Sequence, residues 1–232
     1  MKKVLLTLAL ASMAAPAVAL PAARLAPQPA KALPIISPRP DRMTLEMGNA
    51  KAEFVSLTGE GENRLKVDCP LGAWATDCMR QYARADIALL NSGGLGESIP
   101  PGPISQETLS KAFPFGRENK MYVMSMSGAD IQRMFDVFAT LVPKEGVYMQ
   151  VSGMSWKARG DKASVRIGGR SLDASKLYRV ATIDFLATNE KSKYHGLFKG
   201  KGLLDPAPLN QVLAEAVMNR TVSPPRDSRF EK

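Results

Sequence analysis

The sequence holds one histidine, two cysteines and two tryptophans in 232 residues, and aromatic side chains make up only 6% of it. Scarce histidine excludes most metal-assisted hydrolysis, because a two-metal phosphoesterase needs several His and Asp ligands to hold both ions. A Ser–His–acid triad would have to use His195, which lies between Tyr194 and Gly196, and no nucleophile-elbow pattern occurs anywhere. His195 therefore reads as a surface residue. Phosphate-loop and dinucleotide-binding fingerprints are absent too, since Gly93-Gly94-Leu95-Gly96 has the wrong spacing for either. The residues thus supply no catalytic group, no metal site and no cofactor.

A long apolar run and a basic run are also missing. Residues 4–10 are apolar after Met1-Lys2-Lys3, but too few to span a bilayer. Small residues ending in Ala17-Val18-Ala19 complete the pattern of a signal peptide, 1–19, cut near Ala19. The expected location is periplasmic or secreted, with no transmembrane segment left after cleavage. The net charge of +9 comes from lysines and arginines scattered singly, with no interleaved aromatics, so nucleic acid is not an expected partner. The charge supports a modest attraction for anionic small molecules or membrane surfaces. An oxidising compartment permits a Cys69–Cys78 disulfide. Nine residues of helix would hold the two about 13 Å apart, whereas a Cys69 folded back before the helix could reach. The spacing leaves both outcomes open.

What is present begins with a Pro/Ala-rich linker, 20–42, which has no hydrophobic period and cannot bury a core. One domain, 43–220, and a flexible charged tail, 221–232, complete the expected organisation. Within the domain, 54–57 reads as a strand, and 71–82 as an amphipathic helix with Asp77 beside its apolar stripe. Asp77 is expected to serve a backbone donor or an arginine rather than a ligand. Strands are expected at 86–91, 120–126, 148–152, 155–158, 164–167 and 177–183. Ser105 caps a short helix to Ala112, Ser127 with Asp130 opens a helix to Leu141, and a last helix covers 209–219. Helices and strands mix without strict alternation, so the fold class is α+β, mixed sheets packed with helices.

One stretch organises the rest. Asp86-Ile87-Ala88-Leu89-Leu90-Asn91 reads as a buried strand that opens into Ser92-Gly93-Gly94-Leu95-Gly96, and a short helix then ends at Phe113-Pro114-Phe115-Gly116. Strand ends lacking side chains let a ligand approach the backbone. Together with Pro70-Leu71-Gly72, Val151-Ser152-Gly153 and Tyr178-Arg179-Val180-Ala181-Thr182 through Asp184-Phe185-Leu186-Ala187, this series resembles the C-terminal domain of the 5'-nucleotidase and UDP-sugar hydrolase family. The likeness runs over about residues 65–200.

The resemblance implies a nucleoside- or nucleotide-like ligand and a place in nucleotide catabolism. It also implies a separate metallophosphoesterase domain, which this chain does not resemble, so hydrolase activity alone is not expected. Phe115 and Phe185 match the family's base clamp, and Asn91, with Gly93 and Gly94, matches its strand-end loop. The family's Asn-Gly-Gly-Gly-Ile-Arg becomes Asn91 to Gly96 here, so the phosphate-gripping arginine is a glycine. Its Asn-Gly-Gly-Asp-Gly ribose loop becomes Thr188-Asn189-Glu190-Lys191-Ser192. Arg117 or Arg64 are candidate replacements for the phosphate contact and Glu190 for the ribose contact; each reads equally as surface charge. The competing expectation is a structural or interaction protein that kept the fold and lost the site.

Overall fold

Proline starts the first helix because it lacks an amide hydrogen that a helix end leaves unpaired in any case. Helix α1 spans Pro70–Ala83 in this computed structural model, which describes residues 46–56, 68–142, 148–227 and 229. The expected signal peptide and linker, and Arg64, lie outside the described residues. Cys69 caps α1: its sulfur accepts from the Gly72 amide at 3.4 Å. No disulfide joins Cys69 to Cys78, which sits farther along the helix. Burial, reinforced by neighbouring Asp77, pushes the Cys78 thiol up to about 12.

Among the described residues the chain forms eleven strands and four more α-helices. The strands are β1 (Gly48–Ala50), β2 (Ile87–Asn91), β3 (Gly102–Ile104), β4 (Lys120–Ser127), β5 (Met149–Ser152), β6 (Met154–Arg159), β7 (Lys162–Ile167), β8 (Arg170–Ser171), β9 (Leu177–Ile183), β10 (Lys201–Pro208) and β11 (Thr221–Val222). The helices are α2 (Gln106–Ala112), α3 (Gly128–Leu141), α4 (Asp184–Ala187) and α5 (Leu209–Val217). Ser105 and Thr108 form a reciprocal capping box on α2, and Ser127 caps α3 by accepting from the Asp130 amide at 3.1 Å.

The main sheet runs β10-β4-β9-β2-β5. β2 pairs parallel with β9 and antiparallel with β5, while β4 and β9 pair antiparallel along seven residue pairs. Every residue of β2 is buried, which is why its sequence reads as one apolar run and not as an alternation. α1 covers β2, β5 and β9, with α5 packed beside it. α3 sits between β4 and a small antiparallel sheet, β6-β7-β8. Phe135 meets Trp156 at 5.2 Å and Phe138 at 5.3 Å between ring centres, and Phe54 meets Trp74 at 5.1 Å. The mixed α+β class is the one the sequence implies.

The structure departs from the sequence reading in several places, the short strands β1, β3, β8 and β11 among them. Phe54 makes only an isolated bridge to Ile99, so no strand forms there among the described residues. β10 was not expected: Gly202, Asp205, Pro206 and Pro208 weaken any strand signal, yet an edge strand tolerates proline because one side of it makes no ladder. The charged tail, expected to fray, is engaged at two described points. β11 pairs with β1, and the Arg229 side chain is only 10% exposed.

Arg229 explains that engagement. Its guanidinium donates twice to Asp77, at 2.8 and 3.0 Å, and also to the Ala73 and Val151 carbonyls. Burial opposes its charge, but the bonds to Asp77 and Asp227 outweigh that and hold its pKa above the ordinary value. Asp77 thus has the arginine partner its position suggested, and Ser152 also donates to it. Truncating Arg229 takes a charged donor from a half-buried carboxylate and from two carbonyls. Arg229→Ala is expected to cost on the order of 2–3 kcal/mol in urea denaturation. A loss below about 0.5 kcal/mol, typical of a surface substitution, is the result expected of a frayed tail.

Candidate functional site at the strand-end edge

Strand direction decides which loops meet. β2 and β9 run parallel, so both finish at one edge of the sheet; β4 runs against β9 and therefore starts there. Met121 lies opposite Ile183, and one step beyond, the Lys120 amide donates to Asp184 Oδ1 at 3.1 Å. The loop after β2, the turn before β4 and helix α4 after β9 share this edge. They carry Asn91, Gly93 and Gly94, then Phe115 and Arg117, then Phe185 with the loop of Glu190.

Asn91 ends β2 and precedes a 3-10 turn, Ser92–Gly94, without capping it. It is 7% exposed, and its Oδ1 has no hydrogen-bond partner among the described residues. Such a buried oxygen costs about 1–3 kcal/mol unless something donates to it. The loop itself is held firmly. The Ser92 amide donates to the Tyr148 carbonyl at 2.9 Å, and Gln150 Nε2 donates to Ser92 Oγ at 2.7 Å. A Cβ on Gly94 would lie 3.8 Å from Asn91 Oδ1, so the second glycine borders the carboxamide without covering it.

Gly96 is different in kind. A Cβ there would collide with the Lys111 carbonyl oxygen and fall 2.9 Å from Pro114 Cδ. The Gly96 amide donates to the Ala112 carbonyl at 2.8 Å, which binds the loop to the end of α2. This packing excludes any side chain at the position where the resemblance would put arginine.

Phe115 is presented outward by its turn. Phe113 is fully buried, whereas Phe115 is 56% exposed. The turn rests on the start of α5, whose first amides have no partner within the helix. Leu209 N donates to the Asn119 carbonyl at 2.9 Å and Asn210 N to the Gly116 carbonyl at 2.8 Å. Gly116 must be glycine, because a Cβ would collide with Asn210 Oδ1. Asn210 is 3% exposed, and neither side-chain atom has a partner among the described residues. The sequence reading missed this residue: its contact with Gly116 spans most of the domain and leaves no local signature.

Phe185 is 36% exposed on α4, where its amide donates to Asp184 Oδ1 at 2.8 Å. Neither ring is therefore a core residue. Arg117 and Glu190 are both exposed, Glu190 on a turn closed by Asn189 Oδ1 accepting from the Lys191 amide. His195 is exposed as well. A separate groove of about 550 Å³ is lined by Trp74, Asp77, Tyr82, Glu215, Arg220 and Pro225, with no residue of the strand-end edge. Asp77 there is engaged by Arg229. Exposed rings and an unpartnered carboxamide oxygen locate the candidate site better than depth does.

Residues 46–197 match the model of the family described as 5'-nucleotidase, C-terminal domain. The chain belongs to that family. Protein UshA of Escherichia coli strain K12 is 30% identical over 147 residues, covering 60% of this chain and 26% of the relative. A Vibrio cholerae 5'-nucleotidase is 35% identical over 118 residues, covering 50% and 21%. The chain thus spans about a quarter of the length of these curated relatives. Among solved structures, a 5'-nucleotidase precursor from Thermus thermophilus aligns with a TM-score of 0.70 at 24% identity, over 83% of this chain and 40% of that one. At that identity the likeness speaks for the fold.

Gly96→Arg tests the packing argument. Restoring an arginine is expected to destabilise by about 1–3 kcal/mol through overpacking against Lys111 and Pro114. It is expected to yield no gain in phosphate affinity. Thermal unfolding with and without AMP reads both effects.

Proposed function

We propose that this chain is an exported nucleoside- or nucleotide-binding domain related to the 5'-nucleotidases, without hydrolase activity of its own. The ligand's ring lodges between Phe115 and Phe185, and Asn91 Oδ1 accepts a hydrogen bond from it beside Gly93 and Gly94. The observation that carries this reading is the exposure of both rings at the edge where a buried carboxamide oxygen lacks a donor. Phe115 keeps over half and Phe185 over a third of its surface in water, and stacking a base on each would contribute roughly 1–3 kcal/mol.

Family membership supports a role in nucleotide catabolism, in which a separate metallophosphoesterase would be the working partner. The signal-like residues 1–19 support export to the periplasm or medium. Among the described residues no helix is long and apolar enough to cross a membrane. Arg117 and Glu190 are exposed at the same edge and are candidate phosphate and ribose contacts; Arg64 is a further candidate from the sequence alone. A second reading, a structural protein that lost its site, draws on the glycine at 96 and requires Phe115 to act only in packing.

Calorimetric titration with adenosine, AMP and a UDP-sugar separates the two readings. Binding of adenosine is expected, with AMP within about tenfold of it because no arginine occupies position 96. Phe115→Ala is expected to weaken binding by about 1–3 kcal/mol, while its unfolding free energy stays within about 0.5 kcal/mol of the parent. Absence of heat with every ligand at millimolar concentration would overturn the proposal. So would hydrolysis of AMP by the purified chain at a rate unaffected by chelator.

A further inference from the structure

β10 is the outer strand of the main sheet, and among the described residues no backbone group pairs with its far edge. An open edge of this kind binds another strand unless something blunts it. Pro206 and Pro208 blunt one end, since proline has no amide to donate. Residues 201–205 remain open. Between the charges of Lys201 and Asp205 the segment is apolar, with Leu203 74% exposed and Leu204 48%.

The segment Lys201-Gly202-Leu203-Leu204-Asp205 is complementary to its own reverse. We propose that it pairs antiparallel with the same segment of a second copy of this chain, about a two-fold axis at Leu203. Lys201 then faces the partner's Asp205, Leu203 faces the partner's Leu203, and Leu204 faces the partner's Gly202. The Lys201–Asp205 and Leu204–Gly202 contacts each occur twice and the Leu203 pair lies on the axis, as an isologous interface requires. Opposite charges and apolar pairs directly across an antiparallel ladder are its stabilising units. Slipping the register by one residue puts Lys201 opposite leucine or proline and removes both charge pairs.

Details of the strand fit this arrangement. Lys201 and Leu203 lie opposite Ser125 and Val123 of β4 and share one face of the sheet, while the register shifts between Leu204 and Pro208, so Asp205 lies where the strand turns irregular. Among the described residues the hydrogen bonds to Asp205, from Tyr82 Oη at 3.3 Å and from the Ala207 amide at 2.9 Å, both fall on Oδ1. On the other face, the Tyr122 ring fills the place of a side chain at Gly202, where a Cβ would collide with it. The partner's Leu204 lies over that glycine and against the ring. A ladder this short gives a small interface, so association is weak and concentration-dependent.

Sedimentation of the purified protein over a dilution series is the test. A reversible monomer–dimer equilibrium is expected, and Leu203→Asp and Lys201→Glu should each raise the dissociation constant at least about tenfold. Both positions are exposed, so the melting temperature of either variant should match that of the parent. Lys201→Glu mixed with Asp205→Lys should form heterodimers that neither variant forms as homodimers. Should Asp205→Lys unfold for want of its bond to Tyr82, the two exposed variants decide the matter alone. A protein monomeric throughout the series would overturn the proposal, as would a dimer indifferent to Leu203→Asp.

Discussion

The parallel pairing of β2 with β9 is the constraint on which the site depends. Ile87 opposite Val180 and Ala88 opposite Ala181 fix where both strands end. A strand buried on both faces cannot slip, because a shift by one residue would exchange all its side chains between the two packed layers. Asn91 and α4 therefore emerge side by side, and the antiparallel β4 returns the Phe115 turn to the same place. Loops contribute the contacts, but the sheet register determines their proximity.

Fixing position leaves chemistry to small residues. Gly96 admits the end of α2 against the loop, and Gly116 admits Asn210 beneath the turn of Phe115. Both glycines trade a side chain for rigidity in the segments flanking the candidate site. At position 96 that trade removes the charge that would hold a phosphate. The edge is left with flat apolar surfaces and a carboxamide, a combination suited to an aromatic heterocycle more than to an anion.

Much of the fold was legible because its signals are local. Pro70 and the apolar spacing of α1, the Ser105 and Ser127 caps, and the apolar run of β2 each announce themselves within a few residues. β10 was not legible, since its prolines and glycine argue against a strand, and only its edge position makes them tolerable. Nor was Arg229, one charged residue among several near it. Its role arises from the geometry of Asp77, Ala73 and Val151, which no spacing in the sequence encodes. Of the candidate site, the resemblance supplied the residues and the structure their exposure. Asn210 came from the structure alone.

The ion pair between Asp77 and Arg229 joins residues 152 positions apart. A ribosome emits α1 long before it emits the arginine, so during synthesis the helix waits with its carboxylate unanswered. Contacts of such separation close slowly, since the loop entropy must be overcome before the bond forms. Until residue 229 is made, α1 and β5 stand without the bonds that Arg229 gives to Ala73, Asp77 and Val151.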